Sequence, residues 1–196
     1  MQSKTISIII VFTAVAIILN AVRIPTIYWS LNFYQFSQIP IVAAFLLFGV
    51  RTGILVGILN WLGALILFPL GLNGVVAYSM DFISLMVMFM GLYSAKKIFS
   101  YKDSNEKKIP LSLTSVTIFF RASIMPLVDY GVLYHILLPL FFGLTFTEVV
   151  LIGLIPIFIV YNVTTVLYTV PVAYIITVKV GKALNIYPSF LTKTST

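Results

Sequence analysis

The stretch VVLIGLIPIFIVYNVTTVLYTVPVAYIITV, residues 149–178, contains no acidic or basic residue. A helix of about 20 apolar residues is long enough to cross the hydrocarbon core of a bilayer. The stretch therefore predicts a membrane-spanning helix, which contains Pro156, Asn162 and Pro171. The rest of the chain must then supply the helices that pack against it.

The composition of the whole chain is that of an integral membrane protein. Of its 196 residues, 61% are hydrophobic and only 9% are charged, and the mean hydropathy is +1.12. Soluble domains carry about 25% charged residues, and no soluble fold of this size would bury so much apolar surface. Six spans of about 20 residues would use roughly 120 residues, which leaves room for connections but for no second domain.

Prolines, glycines and charged residues divide the sequence into six predicted helices, which we expect to form one all-α transmembrane domain over residues 1–196. Arg23-Ile24-Pro25 ends the first helix, because a residue before proline is disfavoured in helical geometry. No small-x-small cleavage site follows that helix, so we expect it to be retained and not removed as a secretory signal. The predicted helices cover residues 6–22, 39–50, 54–68, 75–93, 111–141 and 149–178, with a loop at 94–110 and a flexible tail at 186–196.

The basic residues predict the orientation of the bundle, because cytoplasmic segments of membrane proteins are enriched in lysine and arginine. With a cytoplasmic N-terminus, 10 of the 12 basic residues fall inside, Arg23 alone lies outside, and Arg121 lies within the fifth helix. We therefore expect cytoplasmic termini, a cytoplasmic 94–110 loop and a multi-pass protein of the plasma membrane. The net charge of +7 then reflects orientation in the lipid bilayer and not a nucleic-acid partner. The inner residues are Lys4, Arg51, Lys96, Lys97, Lys102, Lys107, Lys108, Lys179, Lys182 and Lys193.

The sequence lacks the motifs of the common membrane enzymes and of ATPases. It has no cysteine, which excludes disulfides and thiolate chemistry, and its single histidine cannot form an HExxH zinc motif. Neither a GxSxG elbow nor a phosphate-binding GxxxxGK[ST] loop occurs. We expect a protein that is not an enzyme and uses no metal or cofactor. Any ATP-driven transport would need an ATPase on another chain.

Charged and polar residues inside the predicted helices are the candidates for function, because an unpaired ionisable group in hydrocarbon is costly. Arg121 and Asp129 lie about two turns apart in the fifth helix, and Asp81 lies near the outer end of the fourth. Arg121 either bridges to another helix or contacts a ligand, and Asp81 either binds a ligand or anchors its helix in the headgroup region. Asn162 either contacts a ligand or bonds to a neighbouring helix.

The segment FYQFSQIPIVAAFLLFGVRTGILVGILN, residues 33–60, carries a resemblance to a known family. It resembles the helix 2 to helix 3 region of the substrate-binding S components of energy-coupling factor (ECF) transporters. In that region a polar residue, Ile-Pro, an apolar run and Phe-Gly-x-x-x-Gly recur. The resemblance covers nearly the whole chain and is greatest to the riboflavin-binding branch.

The resemblance implies a site for a vitamin-like molecule, with riboflavin as the first guess, beneath the helix 1–2 loop and between helices 4, 5 and 6. The riboflavin branch has Asn-Phe, Asn-Tyr and Asn-x-x-Lys there, where this chain has Asp81-Phe82, Asp129-Tyr130 and Asn162-Val-Thr-Thr165. Two acids gained and one base lost favour a ligand with hydrogen-bond donors or positive charge, gripped by Asp129. The implied substrate-binding residues are Asp81, Asp129, Tyr130, Asn162, Thr165 and Trp29.

The resemblance also implies protein partners, namely a transmembrane coupling subunit and the ATPase subunits of an ECF module. We expect small residues of helices 1 to 3 to allow close approach of the coupling subunit. S components often have Ala-x-x-x-Ala in helix 1, and here the pattern is only partial. The residues predicted to form the docking face are Ala14, Ala16, Gly53 and Gly57.

Two other classes of function fit the same sequence. A stand-alone secondary transporter or channel would use Arg121 and Asp129 as a proton or ion relay. A purely structural membrane subunit would bind no ligand at all. Three outcomes distinguish these classes. Uptake that needs a partner ATPase favours the ECF subunit, uptake driven by a pH gradient favours the secondary transporter, and the absence of any ligand favours the structural subunit.

Overall fold

The chain is an all-helical bundle in a computed structural model that describes residues 3–25, 33–99, 108–186 and 188–191. Two short antiparallel strands, β1 (Arg23–Pro25) and β2 (Phe33–Gln35), lie between the first two helices, and a 3-10 turn, Ser189–Leu191, follows the last helix. The helices are α1, Ser3–Leu19; α2, Gln38–Phe48; α3, Val50–Leu67; α4, Gly71–Ile98; α5, Lys108–Phe142; and α6, Glu148–Leu184.

Four of these helices, α3 to α6, are long and apolar enough to cross a membrane, whereas α1 and α2 are shorter apolar helices. The predicted helical class is confirmed, and the count of six spans stays a prediction. Most helices extend beyond the predicted apolar runs: α4 continues to Ile98 and α6 to Leu184. Basic residues in the last turn explain both extensions, because cations interact favourably with a helix C-terminus. The loop predicted at 94–110 is correspondingly shorter.

The short helix α2 lies at the centre of the bundle. All of its residues from Gln38 to Leu47 are buried, and α1, α3 and α6 pack around it. Its 11 residues are about 16 Å long at about 1.5 Å per residue, roughly half of a hydrocarbon core of about 30 Å. The helix therefore forms the core of the packed part of the bundle.

The small residues predicted to dock a coupling subunit mostly pack inside this chain. A Cβ atom at Gly53 would lie 2.6 Å from a side-chain atom of α2, and one at Gly57 would lie 3.0 Å from a side-chain atom of α4. Ala16 is fully buried, whereas Ala14 is exposed. Ala16, Gly53 and Gly57 thus permit close approach between helices of the same bundle, and the docking face stays a prediction.

Residues 188–191, which belong to the predicted tail, fold back onto the bundle. Phe190 is buried among core side chains. Lys96 Nζ donates to the Ser189 carbonyl oxygen at 2.6 Å, and Ser189 Oγ donates to the Leu46 carbonyl oxygen at 3.0 Å. These bonds join the C-terminal ends of α4 and α2 to the turn. The last part of the predicted tail lies outside the described residues.

The two paired strands lie within the helix 1–2 loop that the sequence predicts. Arg23 pairs with Gln35, and Tyr34 of β2 lies against α6. The Tyr34 hydroxyl is 3.0 Å from Thr164 Oγ1, and the Tyr168 hydroxyl donates to the Gln35 carbonyl oxygen at 3.1 Å. These contacts fix β2 on α6 and bring the Gln35 side chain to the interior of the bundle.

Candidate functional site

A cavity of about 340 Å³ lies between α4, α5 and α6, and Gln35 of β2 reaches its wall. Binding sites for small molecules typically have volumes of about 300–1,000 Å³ and combine an apolar wall with a few polar groups. The wall here has that composition. Its polar and aromatic members are Gln35, Asn73, Tyr78, Asp81, Ser84, Asp129, Tyr134, Phe142, Phe158, Tyr161 and Asn162.

Three of the predicted binding residues meet at this cavity. Asp81 of α4, Asp129 of α5 and Asn162 of α6 all belong to its wall. They are far apart in sequence, and antiparallel packing of the three helices brings them to one level. Trp29, also predicted to contact the substrate, lies outside the described residues.

Thr165 and Tyr130, the other two predicted binding residues, do not belong to the cavity wall. Thr165 is buried, and its hydroxyl donates to the Tyr161 carbonyl oxygen of its own helix at 2.8 Å. The Tyr130 hydroxyl donates to Glu148 Oε2 at 2.6 Å, on the exposed side of α5. Both residues lie on helices that border the cavity but are not among its lining, and their roles in binding stay predictions.

Arg121 is 1% exposed and joins three other helices to α5. Its Nε donates to Asn162 Oδ1 at 2.8 Å, and its Nη1 donates to Gln38 Oε1 at 2.9 Å. Its Nη2 donates to Ser84 Oγ at 3.1 Å. In the described part of the chain, no carboxylate lies within ion-pair distance of this guanidinium. Of the two interpretations left open by the sequence, the contacts match the bridge between helices.

The Arg121 contacts also hold part of the cavity wall in place. Asn162 and Ser84 accept hydrogen bonds from Arg121 and at the same time line the cavity. The Asn162 amide is held at both ends, because its Nδ2 donates to the Phe158 carbonyl oxygen at 2.9 Å. Burying these polar groups is tolerated because each one has a partner. Arg121 therefore fixes the positions of Asn162 and Ser84 in the cavity wall.

The two carboxylates of the cavity differ in their surroundings. Gln35 Nε2 donates to the Asp81 carboxylate, so the β2 strand and α4 are connected across the cavity wall. By contrast, no hydrogen bond or ion pair joins the Asp129 carboxylate to any residue that the structure describes. Asp129 thus differs from Asp81, whose carboxylate accepts a hydrogen bond from Gln35.

A π-helical segment, Asp129–Leu137 of α5, places a further residue in the site. In an α-helix, a residue five positions on is rotated by about 140°, which would turn Tyr134 away from Asp129. The i→i+5 bonding of a π-helix brings both to the same face, and both line the cavity. Pro126, which cannot donate to the helix ladder, lies just before this segment. Tyr134 is not among the residues that the sequence predicts for the site, although Pro126 and Pro139 on either side of it indicate an irregular helix.

A small polar cluster on the outside of the bundle joins the end of α5 to the start of α6. His135 Nε2 lies 3.1 Å from Glu148 Oε1, and His135 Nδ1 lies 2.7 Å from the Tyr130 carbonyl oxygen. His135 and Glu148 are 38% and 61% exposed. Exposed pairs of this kind contribute little net stability, so we assign the cluster no part in the site.

No protein-family model and no curated protein matches the chain. A solved structure described as "Structure and mechanism of the S component of a bacterial ECF transporter" is similar to it, with a TM-score of 0.65 and 21% sequence identity. The match covers 98% of this chain and 100% of that one. The chain therefore has the fold of that S component over essentially its whole length, and the riboflavin-binding branch stays a prediction.

Proposed function

We propose that the chain is the membrane-embedded, substrate-binding subunit of an ATP-driven importer of the ECF type. The observation that carries the proposal is the cavity of about 340 Å³, which lies inside a chain with the fold of an S component. Sites for small molecules are concave and contain a few polar groups that orient the molecule. Asp81, Asp129 and Asn162 supply such groups from three different helices.

The position of the cavity fits uptake from outside. The basic end of the bundle is the end that contains Arg51, Lys96 and Lys182, where α3 begins and α4 and α6 end. The cavity belongs to the opposite end, which we call the cavity end, because it involves the first half of α4 and the second half of α5. If the basic end is cytoplasmic, as its charge predicts, the cavity lies in the outer half of the membrane.

The substrate that we propose is a small vitamin-like molecule with a flat ring, for which riboflavin is the first candidate. Aromatic side chains stack favourably on such rings, and Tyr134, Phe158 and Tyr161 all line the cavity. A transmembrane coupling subunit and two ATPase subunits would supply the energy for transport, since the chain contains no phosphate-binding loop.

The competing relay function is less compatible with the contacts of Arg121. A proton or ion relay needs charged groups that exchange partners along a path. The guanidinium donates to three neutral side chains on three other helices, an arrangement typical of a structural bridge. The contacts therefore favour a binding subunit over a stand-alone transporter.

The test is reconstitution of the chain in liposomes, alone and together with the coupling subunit and ATPases of an ECF module. We expect uptake of radiolabelled riboflavin or of a related vitamin only with the module and with ATP. Uptake by the chain alone in response to a pH gradient would contradict the proposal and favour a secondary transporter. Mass spectrometry of molecules retained through gentle purification would identify the substrate, and a chain that retains and transports nothing would be a structural subunit.

A further inference from the structure

A second, smaller cavity lies among α2, α3, α4 and the residues that follow α1, and its volume is about 20 Å³. A buried water molecule needs about 10–15 Å³ of such space and two to four polar partners, whereas sites for organic ligands have about 300 Å³ or more. Polar side chains from four different parts of the chain line this small cavity, namely Asn20, Gln35, Asn60 and Asp81. The small cavity therefore has the size and the polarity of a water site.

Trp61 of α3 supplies a buried donor in the lining of the small cavity. The Nε1 atom of its indole is buried, and it has no hydrogen-bond partner in the part of the chain that the structure describes. Trp61 packs against Phe82, with ring centroids 5.9 Å apart, and Phe82 lines the same cavity. Buried N–H groups in folded proteins nearly always have a partner, either a protein group or an ordered water. Trp61 thus indicates a partner that lies in the small cavity.

The donor defines the chemistry of that partner. An indole N–H only donates, so the partner needs a lone pair, which excludes a sodium, potassium or ammonium ion. An anion is disfavoured because it would share the small cavity with the Asp81 carboxylate, and like charges repel. Water both accepts and donates, and the Asn60 side chain offers it an acceptor. Asn60 Oδ1 accepts from Asn20 Nδ2 at 2.9 Å, and an amide oxygen has a second lone pair.

We infer that the small cavity binds one ordered water molecule, which accepts a hydrogen bond from Trp61 Nε1 and donates one to Asn60 Oδ1. The inference goes beyond the proposed function and does not depend on what the chain transports. Gln35 and Asp81 line both cavities, so this water adjoins the wall of the large cavity. Buried waters of this kind are part of the structure and are costly to remove.

The test is nuclear magnetic resonance of the full chain in nanodiscs of deuterated lipid, with isotope-labelled indole nitrogens. The chain has two tryptophans, so either Trp61→Phe or Trp29→Phe assigns the two indole signals. We expect a cross peak between the Trp61 indole proton and water, with opposite signs in laboratory-frame and rotating-frame Overhauser experiments, as a long-lived bound water gives. The absence of this cross peak would overturn the inference. A cross peak of equal sign in both experiments would do so too, because it reports proton exchange with bulk water.

Gly57→Ala fills the small cavity from α3. The nearest neighbours of a Cβ atom at Gly57 would be side chains that all line this cavity, namely Leu85, Phe82 and Ile41. We expect the variant to keep the Trp61 indole signal and to lose its cross peak with water.

Gly131→Ala is the matched control, because it adds the same methyl group where no described atom lies within 4 Å, and it should keep the cross peak. A folded Gly57→Ala chain that also keeps the cross peak would place the water outside the small cavity and overturn the inference. The measurement on the unaltered chain decides the matter even if Gly57→Ala does not fold.

Discussion

The basic end and the cavity end of the bundle are packed in opposite ways, although the same helices run through both. Towards the basic end, a Cβ atom at Gly91 of α4 would lie 2.7 Å from the Thr117 Cα atom of α5. At the cavity end, a Cβ atom at Gly131 of α5 would have no described neighbour within 4 Å. Thus the backbones of α4 and α5 are in close contact at Gly91, whereas the space beside Gly131 is open.

This difference shows how a small bundle keeps a cavity open. An empty space inside a protein costs stability, because the side chains around it lose packing contacts. The buried helix α2 and the Arg121 hydrogen bonds hold the helices together below the cavity. The π-helical segment borders the cavity through Asp129, Leu133 and Tyr134.

The largest expected effect concerns which of the two ends faces the cytoplasm. Single cysteines introduced into this cysteine-free chain at Asn73, at the cavity end, and at Ser104, in the predicted 94–110 loop, should react differently with a membrane-impermeant thiol reagent. On intact cells we expect labelling of Asn73→Cys only, because the basic residues favour a cytoplasmic loop. Labelling of Ser104→Cys from outside would reverse the topology and place the cavity on the inner side.

The next largest effect should come from Arg121→Met. This variant removes the hydrogen bonds that join α5 to three other helices. Three buried side chains would lose a donor, and each acceptor left unpaired costs about 1–3 kcal/mol. We expect a marked fall in the midpoint of thermal unfolding in detergent. Arg51→Met, which removes an exposed arginine at the basic end, serves as the control. Equal midpoints for the two variants would show that Arg121 is not a structural bridge and would revive the relay function.

A pair of alanine substitutions compares the packing of the two ends directly. Gly91→Ala forces a methyl group against the backbone of α5, and overpacking of this kind costs about 1–3 kcal/mol. Gly131→Ala adds the same methyl group in open space and should cause no loss of stability. Chemical denaturation of both variants measures the difference. If Gly91→Ala were as stable as Gly131→Ala, the close contact between α4 and α5 would be absent in the membrane.

The smallest effect is expected for Tyr130→Phe, at the surface of the cavity end. The variant loses the hydrogen bond to Glu148 but leaves the cavity wall intact. We expect no measurable change in unfolding temperature or in ligand affinity, since exposed polar contacts exchange readily with water. A large loss of affinity would mean that the site includes this face of α5, as the resemblance to the riboflavin branch implies.

Several members of the candidate site were accessible from the sequence, and others were not. Asp81, Asp129 and Asn162 are conspicuous because a polar residue within an apolar helix needs a reason to be there. Tyr134 and Gln35 line the same cavity but were not predicted. Tyr134 reaches it only because α5 changes its helical period, and Gln35 only because β2 lies over the helices. Their binding roles, like those of the predicted residues, stay proposals until a ligand is bound.

The sequence by itself determined that this chain forms apolar helices long enough for a membrane, because the free energy of burying a segment in lipid is nearly a sum over its residues. It also determined which few polar residues those helices contain. Only the tertiary structure decided which faces meet, as the inward packing of Ala16, Gly53 and Gly57 shows. The physical reason is that lipid and protein interior are equally apolar, so hydrophobicity does not distinguish a face that contacts lipid from one that contacts another helix. Close packing, helix period and hydrogen bonding make that choice, and they depend on residues that lie far apart in the chain.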